Sequence, residues 1–483
     1  MPAPFRTVEF TPQSRCRFAL AWADITPPAN IYHRMWGAAR HERATGVHRP
    51  LRATVALFAP LEGAGRQFIL ALDHCVMGKI EHEQLVAQVA DGAGVPAEEV
   101  LVVFSHTHAA GLMGLDRVSQ PGGDLIPGYL KKMGEVAAEL VRKCVAAQQP
   151  ATLAYGRGQC TLAAHRDAWD GQRKHYVTGY NPGVPADDSV IVMRATGADG
   201  KTLATMVNYA CHPTTLAWEN TLISPDYVGA MREVIEAETD APCLFLQGAS
   251  GELGPREGFI GDTAVADRNG RELGFAALAA LTALSPSDTK FVYAGPVVSG
   301  ATLGDWEHQM LTDREKAQNA KWSLQRWNEP LKYRPGNPTL EDTTKARDDL
   351  QAQEAAARAT GDETKAADLR ALVERKNRAI HRIMQLPPGE NYPLAVVLWR
   401  IGGAVWLGVQ GESYSLLQTE LRKRFPDQVL VVASIASNWG ASYLPPKDVY
   451  GTGMYQDTIA VVAAGGLEQL IEGIAKRLGH MID

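Results

Sequence analysis

The stretch that decides the fold is Val102-Val103-Phe104-Ser105-His106-Thr107-His108-Ala109-Ala110-Gly111, an apolar run that stops at two histidines one residue apart. Side chains two positions apart in an extended segment point to the same side. His106 and His108 are therefore predicted to leave the end of a buried strand together. Such a pair suits a metal ion, although a polar strand edge explains one His-x-His pair about equally well.

Three further apolar runs end in residues that can bind a metal. Residues 206–210 lead into Cys211-His212-Pro213, and residues 404–409 lead into Gln410-Gly411-Glu412. Residues 429–433 are followed, after a polar segment, by Tyr443. Open α/β sheets bind their ligands at the carboxyl ends of strands. The recurrence therefore favours a ligand site built from several strand ends.

The composition is that of an ordinary globular protein. The chain has 483 residues, of which 45% are hydrophobic and 21% are charged, and its formal net charge is -6. This balance lacks the basic excess of nucleic-acid-binding proteins. We find no apolar run of transmembrane or signal-peptide length, so membrane insertion is not expected. Six scattered cysteines without Cys-x-x-Cys pairing favour free thiols and a cytoplasmic location.

Short apolar segments alternate with loops and amphipathic segments along the chain. Strands are predicted at 53–58 and 67–72, and a helix is predicted over 126–147. Gly197-Ala198-Asp199-Gly200 predicts a hairpin turn. This rhythm predicts the α/β class, with a layered mixed sheet core and flanking helices forming one domain over residues 1–483.

Residues 305–385 differ from the rest, because charge is dense there and Ala, Lys, Glu and Arg recur at helical spacing. We expect an inserted charged helical hairpin of two or three amphipathic helices. A solvated cap with a structural role is favoured over a substrate lid. A closing helix is predicted over 457–478.

The residues at the strand ends match the ligands of a catalytic zinc ion. Zinc binds neutral histidine, carboxylate and, less often, phenolate, and catalytic sites keep one position open. His106, His212 and Glu412 form a common set of three ligands for one ion, and Tyr443 is a candidate fourth. Manganese or iron would also suit this set. A bound metal polarises a carbonyl and lowers the pKa of water.

Several other residues have candidate roles around such an ion. His108 is either a second ligand or a general acid or base. Arg166 either holds a substrate carboxylate or an oxyanion, or braces a loop. Asp73 and Asp226 are candidates for orienting the histidines, and helix capping also explains Asp226. Cys211 is expected to be a packed thiol.

Short motifs follow one another in a fixed order along the chain. They are Asp24-Ile25-Thr26-Pro27-Pro28, Gly46-Val47-His48-Arg49-Pro50-Leu51, His106-Thr107-His108, His165-Arg166, His212, Ser224-Pro225-Asp226-Tyr227-Val228-Gly229, Gly251-Glu252-Leu253-Gly254-Pro255, Gly411-Glu412 and Ser437-Asn438 to Tyr443. Their order resembles the catalytic domain of the neutral/alkaline ceramidase superfamily. The resemblance covers nearly the whole chain apart from the charged segment and implies a zinc amidohydrolase. It places zinc on His106, His212, Glu412 and Tyr443, and gives His108 and Arg166 roles around the substrate carbonyl.

Two departures from that family shape the functional prediction. Ceramidases carry a nucleophilic serine in a Gly-Asp-x-Ser-Pro motif, whereas this chain has Gly254, which has no side chain. They also have a secretion signal and an immunoglobulin-like domain, and we expect neither in this protein. We therefore expect a cytoplasmic zinc hydrolase that cleaves an amide bond of a small soluble substrate by metal-activated water. Glu252 or His108 would manage the proton.

Other interpretations stay open on the sequence alone. The same metal would serve a lyase, an esterase or a glycoside-cleaving enzyme, because polarising an oxygen helps all three. A non-catalytic metal-binding descendant of a hydrolase is also compatible with the missing serine. The sequence does not decide between a monomer and a homo-oligomer.

Overall fold

The computed structural model describes residues 5–482. The strands of the first part of the chain are β1 (Val8–Glu9), β2 (Gln13–Asp24), β3 (Gly46–Val47), β4 (Arg52–Ala59), β5 (Gln67–Leu72), β6 (Val100–Phe104), β7 (Gln149–Gln159), β8 (Ala163–His165), β9 (Asp167–Asp170), β10 (His175–Thr178), β11 (Ser189–Gly197) and β12 (Thr202–Tyr209). The remaining strands are β13 (Leu222–Ile223), β14 (Cys243–Gln247), β15 (Leu253–Pro255), β16 (Thr289–Ser299), β17 (Ala301–Met310), β18 (Trp322–Lys332), β19 (Asn391–Ile401), β20 (Ala404–Val409), β21 (Glu412–Ser413), β22 (Val429–Ala433) and β23 (Tyr443–Leu444).

Helices connect these strands and cover the outer faces of the sheets. They are α1 (Lys79–Ala93), α2 (Ile126–Ala147), α3 (Tyr227–Thr239), α4 (Thr263–Thr282), α5 (Asp313–Asn319), α6 (Leu340–Ala359), α7 (Glu363–Gln385), α8 (Leu416–Arg424), α9 (Tyr455–Ile459) and α10 (Gly466–Ile482). Within residues 5–482, no helix combines the length and the apolar character that crossing a membrane requires.

The larger sheet has eight strands in the order β14-β12-β11-β7-β2-β4-β5-β6. The outermost pairs, β12 with β14 and β5 with β6, are parallel, and the pairs between them are antiparallel. The predicted strands at 53–58 and 67–72 lie within β4 and β5. The turn after Gly197 joins β11 to β12, as predicted. Strands β6 and β12 run in opposite directions, and the sheet curls so that its two outermost strands, β14 and β6, contact each other.

A second sheet packs face to face on the first. It has four strands in the order β18-β19-β20-β22, and its β20 and β22 are parallel. Large aromatic side chains fill the space between the sheets, with Phe58 and Tyr155 on one side and Trp399 and Trp406 on the other. The ring of Phe58 lies 4.9 Å from that of Trp406. Burial of this apolar surface holds the two sheets together.

The outer faces of both sheets are covered by helices. Helix α2 packs on β2 and β4, and it buries Tyr129, Met133, Ala137 and Leu140 at helical spacing. Helices α3 and α4 cover the other half of this sheet, whereas α8 and α10 cover the smaller one. The result is a four-layer arrangement, which confirms the predicted α/β class with a layered mixed sheet core and flanking helices.

Part of the predicted helical segment 305–385 is sheet. Strand β17 forms a hairpin with β16, and β18 pairs with β19 along its whole length. The cause is a period-two pattern, in which Trp322 and Leu324 pack on the core between the sheets. The helical hairpin itself comprises α6 and α7. The predicted helix 457–478 is wrong at 460–465, because Gly465 has a φ of 89° and separates α9 from α10.

Candidate active site

The ends of strands from both sheets meet at one place. His106 follows β6, His212 follows β12, and Glu412 and Tyr443 are opposite each other in the paired strands β21 and β23. All four residues are buried. His106 has a φ of 69°, so the chain there is not extended as predicted. Its ring nevertheless lies 4.9 Å from that of His108, so the two histidines remain neighbours.

The predicted ligand atoms lie within bonding reach of a single ion. Nε2 of His212 is 3.2 Å from Oε2 of Glu412, and Nε2 of His106 is 3.4 Å from the same oxygen. The hydroxyl of Tyr443 is 3.2 Å from Nε2 of His212. The ligand atoms of His106, His212 and Glu412 all lie within 4.8 Å of one another. These three residues are candidate metal ligands.

Backbone carbonyls determine the tautomers of both histidines. Nδ1 of His212 lies 2.7 Å from the carbonyl oxygen of Ser250, and Nδ1 of His106 lies 2.8 Å from that of Cys75. A carbonyl only accepts, so each Nδ1 must donate its proton, which leaves Nε2 with a lone pair. With both rings neutral, two lone pairs and a carboxylate oxygen face one another, and such acceptors repel unless a metal ion or a proton lies between them. The donor set therefore fits a divalent metal.

The electrostatic environment differs between the candidate ligands. Burial lowers the pKa of His212 to about 3, so its imidazole is neutral at pH 7. Burial also disfavours the charged form of His106, but charge interactions and hydrogen bonds with Cys75 and Glu412 outweigh it and raise its pKa to about 10. Burial favours the neutral form of Glu412, but hydrogen bonding and charge interactions with the two histidines outweigh it and hold its pKa well below the usual range. A metal ion requires neutral imidazoles beside an ionised carboxylate, so its binding would displace a proton from His106.

Arg166 and Tyr443 form a pair at the side of this cluster. The Arg166 guanidinium donates to the Tyr443 hydroxyl at 2.9 Å and to the carbonyl of Gly251 at 2.7 Å. Its Nε is buried and has no hydrogen-bond partner among residues 5–482. Burial raises the pKa of Tyr443 well above its usual value, so the phenol is protonated without a metal. The Nε–H of Arg166 is therefore free to donate beside the candidate metal ligands.

His108 lies between the ligand cluster and a cavity of about 810 Å³. Its Nε2 is buried without a hydrogen-bond partner among the described residues, and its ring lies 5.2 Å from that of Trp36. Burial lowers the pKa of His108 well below its usual value, and the neighbouring His106 and His212 lower it further. A neutral imidazole with an unpaired nitrogen in a cavity can accept a proton from a nearby molecule.

Glu252 is set apart from this cluster. Its carboxylate accepts from the backbone N–H of Ser415 at 2.9 Å and from the Ser415 hydroxyl, at the start of α8. Burial raises its pKa to about 7. The cavity is lined instead by His108, Arg166 and Tyr443. Gly254, two residues further on, is opposite Ala164 in the β15–β8 pair.

The predicted supporting residues have other roles. Asp73 forms a buried ion pair with Arg232 and accepts from the backbone of Arg52, so its assignment to a histidine is wrong. A buried arginine is the stronger partner for this carboxylate. Asp226 caps α3 by accepting from the Tyr227 N–H, which confirms the capping explanation. Cys211 is a buried thiol whose pKa is raised well above its usual value by burial.

Sequence reasoning missed two contributors to the site. Trp439 donates its indole N–H to Oε1 of Glu412 at 3.0 Å. Helix α7 forms one wall of the cavity, so the inserted hairpin is more than a solvated cap. Trp439 lies inside the Asn438-to-Tyr443 motif, which was a usable signal. No local pattern indicates that α7 meets a strand end, because that contact joins distant parts of the chain.

Comparisons with known proteins agree with this architecture. No protein-family model matches the chain. The chain is 27% identical over 221 residues to the neutral ceramidase of Pseudomonas aeruginosa, an alignment that covers 44% of this chain and 32% of that protein. The matched segment thus spans about a third of this relative's length.

Two solved structures are similar over nearly all of the chain. The crystal structure of neutral ceramidase from Pseudomonas aeruginosa gives a TM-score of 0.62 at 15% identity, covering 97% of this chain and 74% of that one. A ceramidase complexed with C2 gives a TM-score of 0.64 at 17% identity, covering 98% and 76%. The resemblance predicted from the motifs is therefore confirmed at the level of the fold.

Proposed function

We propose that this protein is a zinc-dependent hydrolase that cleaves an amide bond of a small molecule with water. The observation that carries the proposal is the arrangement of His106, His212 and Glu412, whose lone pairs converge on one point. Tyr443 would be the fourth ligand or a neighbouring hydrogen-bond donor. The ceramidase fold supports the choice of an amide, because a ceramidase acts on an amide bond.

The metal ligands, Arg166 and His108 would each have a separate role in the reaction. A divalent ion held by His106, His212 and Glu412 would polarise a scissile carbonyl and lower the pKa of water. The free Nε–H of Arg166 donates to the carbonyl oxygen as negative charge develops on it. Nε2 of His108 takes a proton from the attacking water and returns it to the leaving amine.

The protein would not use a side-chain nucleophile at position 254. A Cβ built on Gly254 would meet the Thr214 hydroxyl at 3.6 Å and Cδ of Arg166 at 3.8 Å, which are ordinary contacts. A small side chain would therefore fit at this position without a clash, and its absence leaves no nucleophile there. The missing nucleophile supports direct attack by water, in place of the two-step route through a serine.

The experiment that tests the proposal combines metal analysis with turnover of N-acyl amines and N-acyl amino acids. His212→Ala should reduce bound metal from about one ion per chain to almost none and abolish hydrolysis, because it removes one of three ligands. His480→Ala, at an exposed position on α10, is the matched control. Undiminished turnover by chelator-treated protein would refute the proposal. Incorporation of oxygen-18 from solvent into the acid product distinguishes hydrolysis from elimination.

Two further variants test the assigned roles. His108→Asn and Arg166→Met should keep the metal and lower kcat by about 100- to 1000-fold, because each removes one interaction of the transition state. A variant that keeps both its metal and its turnover would exclude that residue from the chemistry.

A further inference from the structure

The cavity beside the metal ligands has two chemically different walls. One wall is aromatic, since Trp36 lies edge-to-face against both Trp218 and Phe259, with ring centroids 6.3 and 5.6 Å apart. The other wall is formed by α7, which contributes charged side chains to the lining. A molecule that fills this space therefore meets both an apolar aromatic surface and charged groups.

The charged wall is strongly positive. Among the described residues that line the cavity, five are basic and only Glu374 is acidic. Glu374 is already neutralised, because Arg117 donates to it at 2.8 Å and Arg378 at 3.3 Å. The whole chain has a formal net charge of -6, so the cavity has the opposite sign to the protein. Such a local field concentrates anions in the cavity.

Arg382 differs from the other arginines of α7. Arg378 is held by Glu374 and the carbonyl of Met35, and Arg375 donates to the Thr458 hydroxyl. Arg382 has no carboxylate of residues 5–482 within 4.0 Å, and its Nε is buried without a hydrogen-bond partner. A buried guanidinium N–H without an acceptor costs free energy, which a bound anion would recover.

The position of Arg382 relative to the metal ligands is set by Trp439. The guanidinium carbon lies 5.5 Å from the centre of the Trp439 ring, and the N–H of that same indole contacts Glu412. Arg382 is therefore separated from the ligand cluster by the width of one indole. An anionic group held by Arg382 would belong to a substrate whose scissile bond lies only a few atoms away.

We propose that Arg382 binds the carboxylate of the substrate, so that the enzyme acts on N-acylated amino acids and similar amides bearing an acid group. This inference rests on the proposed hydrolase function and specifies its substrate class. The aromatic wall would hold the acyl group while the planar guanidinium donates two parallel hydrogen bonds to the carboxylate.

The test compares N-benzoylglycine with N-benzoylglycinamide, which differ only in the carboxylate. Calorimetric titration of chelator-treated full-length protein measures binding without turnover and without metal as a competing site. The acid should bind about 10- to 100-fold more tightly than the carboxamide, as expected for a charge-assisted hydrogen-bonded pair. Arg382→Gln should abolish this preference. Arg382→Lys keeps the positive charge but not the two parallel N–H donors of the guanidinium, so it should retain part of the preference.

Lys365→Gln removes one positive charge from an exposed position on the same helix and is the matched control. Equal affinity for the two compounds in the unsubstituted protein would overturn the inference, as would a preference that survives Arg382→Gln. Failure of both compounds to bind would also overturn it. Hydrolysis of amides without any preference for acids would leave the proposed function standing. If the protein preferred acids but hydrolysed no amide, the carboxylate site at Arg382 would stand and the proposed hydrolase function would fail.

Discussion

The two sides of the cavity are built in different ways. The metal-ligand side consists of strand ends from two packed sheets, where His106 and His212 are buried and held by hydrogen bonds to backbone carbonyls. The α7 side is a helix in a charged hairpin, and it is attached to the main body by side-chain contacts such as the Glu374–Arg117 ion pair and the hydrogen bond from Arg378 to the carbonyl of Met35. Backbone-held ligands on sheets resist displacement, whereas a helix attached by side chains can change without disturbing them.

This difference predicts that the proposed metal binding and the proposed substrate selection can be altered separately. Substitutions in α7 should alter stability or selectivity locally while the metal stays bound. Substitutions around the strand ends should alter the metal affinity. Each prediction below tests that separation, and a variant that affects both sides equally would contradict it.

The largest effect is expected when the hairpin loses its anchor. Glu374 is fully buried and joins α7 to Arg117 of the main body. Glu374→Gln leaves Arg378 without a carboxylate partner and Arg117 with Asp116 alone, which costs about 3 kcal/mol. Hydrogen exchange of the α7 amides should become about 100-fold faster, while β6 and β12 exchange as before and bound metal is unchanged.

Glu354→Gln is the matched control for the loss of a glutamate charge in the hairpin. Glu354 pairs with Arg358 at the surface of α6, so its substitution should cost no more than about 0.5 kcal/mol. Equal acceleration of exchange in β6 and α7 after Glu374→Gln would show that the two sides unfold together.

A pH-dependent effect is expected at Glu252, on the strand side. Burial raises the pKa of this carboxyl from 4.5 to about 7, so the folded state retains a proton that the unfolded chain releases. Stability is therefore lost as pH rises from about 4.5 to 7, by about 3 kcal/mol. Glu252→Gln cannot ionise, so its stability relative to the unsubstituted protein should improve by this amount between pH 4 and pH 8.

Denaturant unfolding at the two pH values measures this effect, with Glu98→Gln as the control at an exposed position. Because Glu252 contacts Ser415 and lies outside the cavity lining, kcat of Glu252→Gln at pH 8 should stay within about tenfold of the original. A loss of about 1000-fold would assign the proton transfer to Glu252 instead of His108.

The metal-ligand side could be predicted from the sequence because each part of it is local. A buried strand followed within three residues by His106 or His212 is a short pattern, and the chemistry of zinc links such patterns into one site. The α7 side could not be predicted in this way. Arg382 lies on α7, and its position depends on packing against Trp439, which lies in the loop between β22 and β23. Charge density alone suggested solvent exposure for α7.

The fold shows the same difference between features set by local sequence and features set by distant contacts. Strands β4 and β5 were predicted because their apolar residues are continuous and bounded by turns, whereas β18 was missed. Charged and polar residues on one face of β18 obscured the alternation that buries Trp322 and Leu324. Asp73 was assigned to a histidine because no sequence pattern connects it to Arg232, which lies on α3. The role of a residue such as Asp73 depends on a partner that is far away in the sequence.

The smallest effect is expected at Trp439, where the two sides meet. Its indole N–H donates to Glu412, and its ring lies beneath Arg382. Trp439→Phe removes the hydrogen bond and keeps an aromatic surface, so metal affinity should fall by about 10- to 100-fold while the preference for N-benzoylglycine persists. Competition with a chelator measures the first quantity. Trp218→Phe, which alters another indole of the cavity, should leave the metal affinity unchanged. If Trp439→Phe instead removed the acid preference and left metal affinity intact, the indole would serve Arg382 alone, and the ligand cluster would not depend on it.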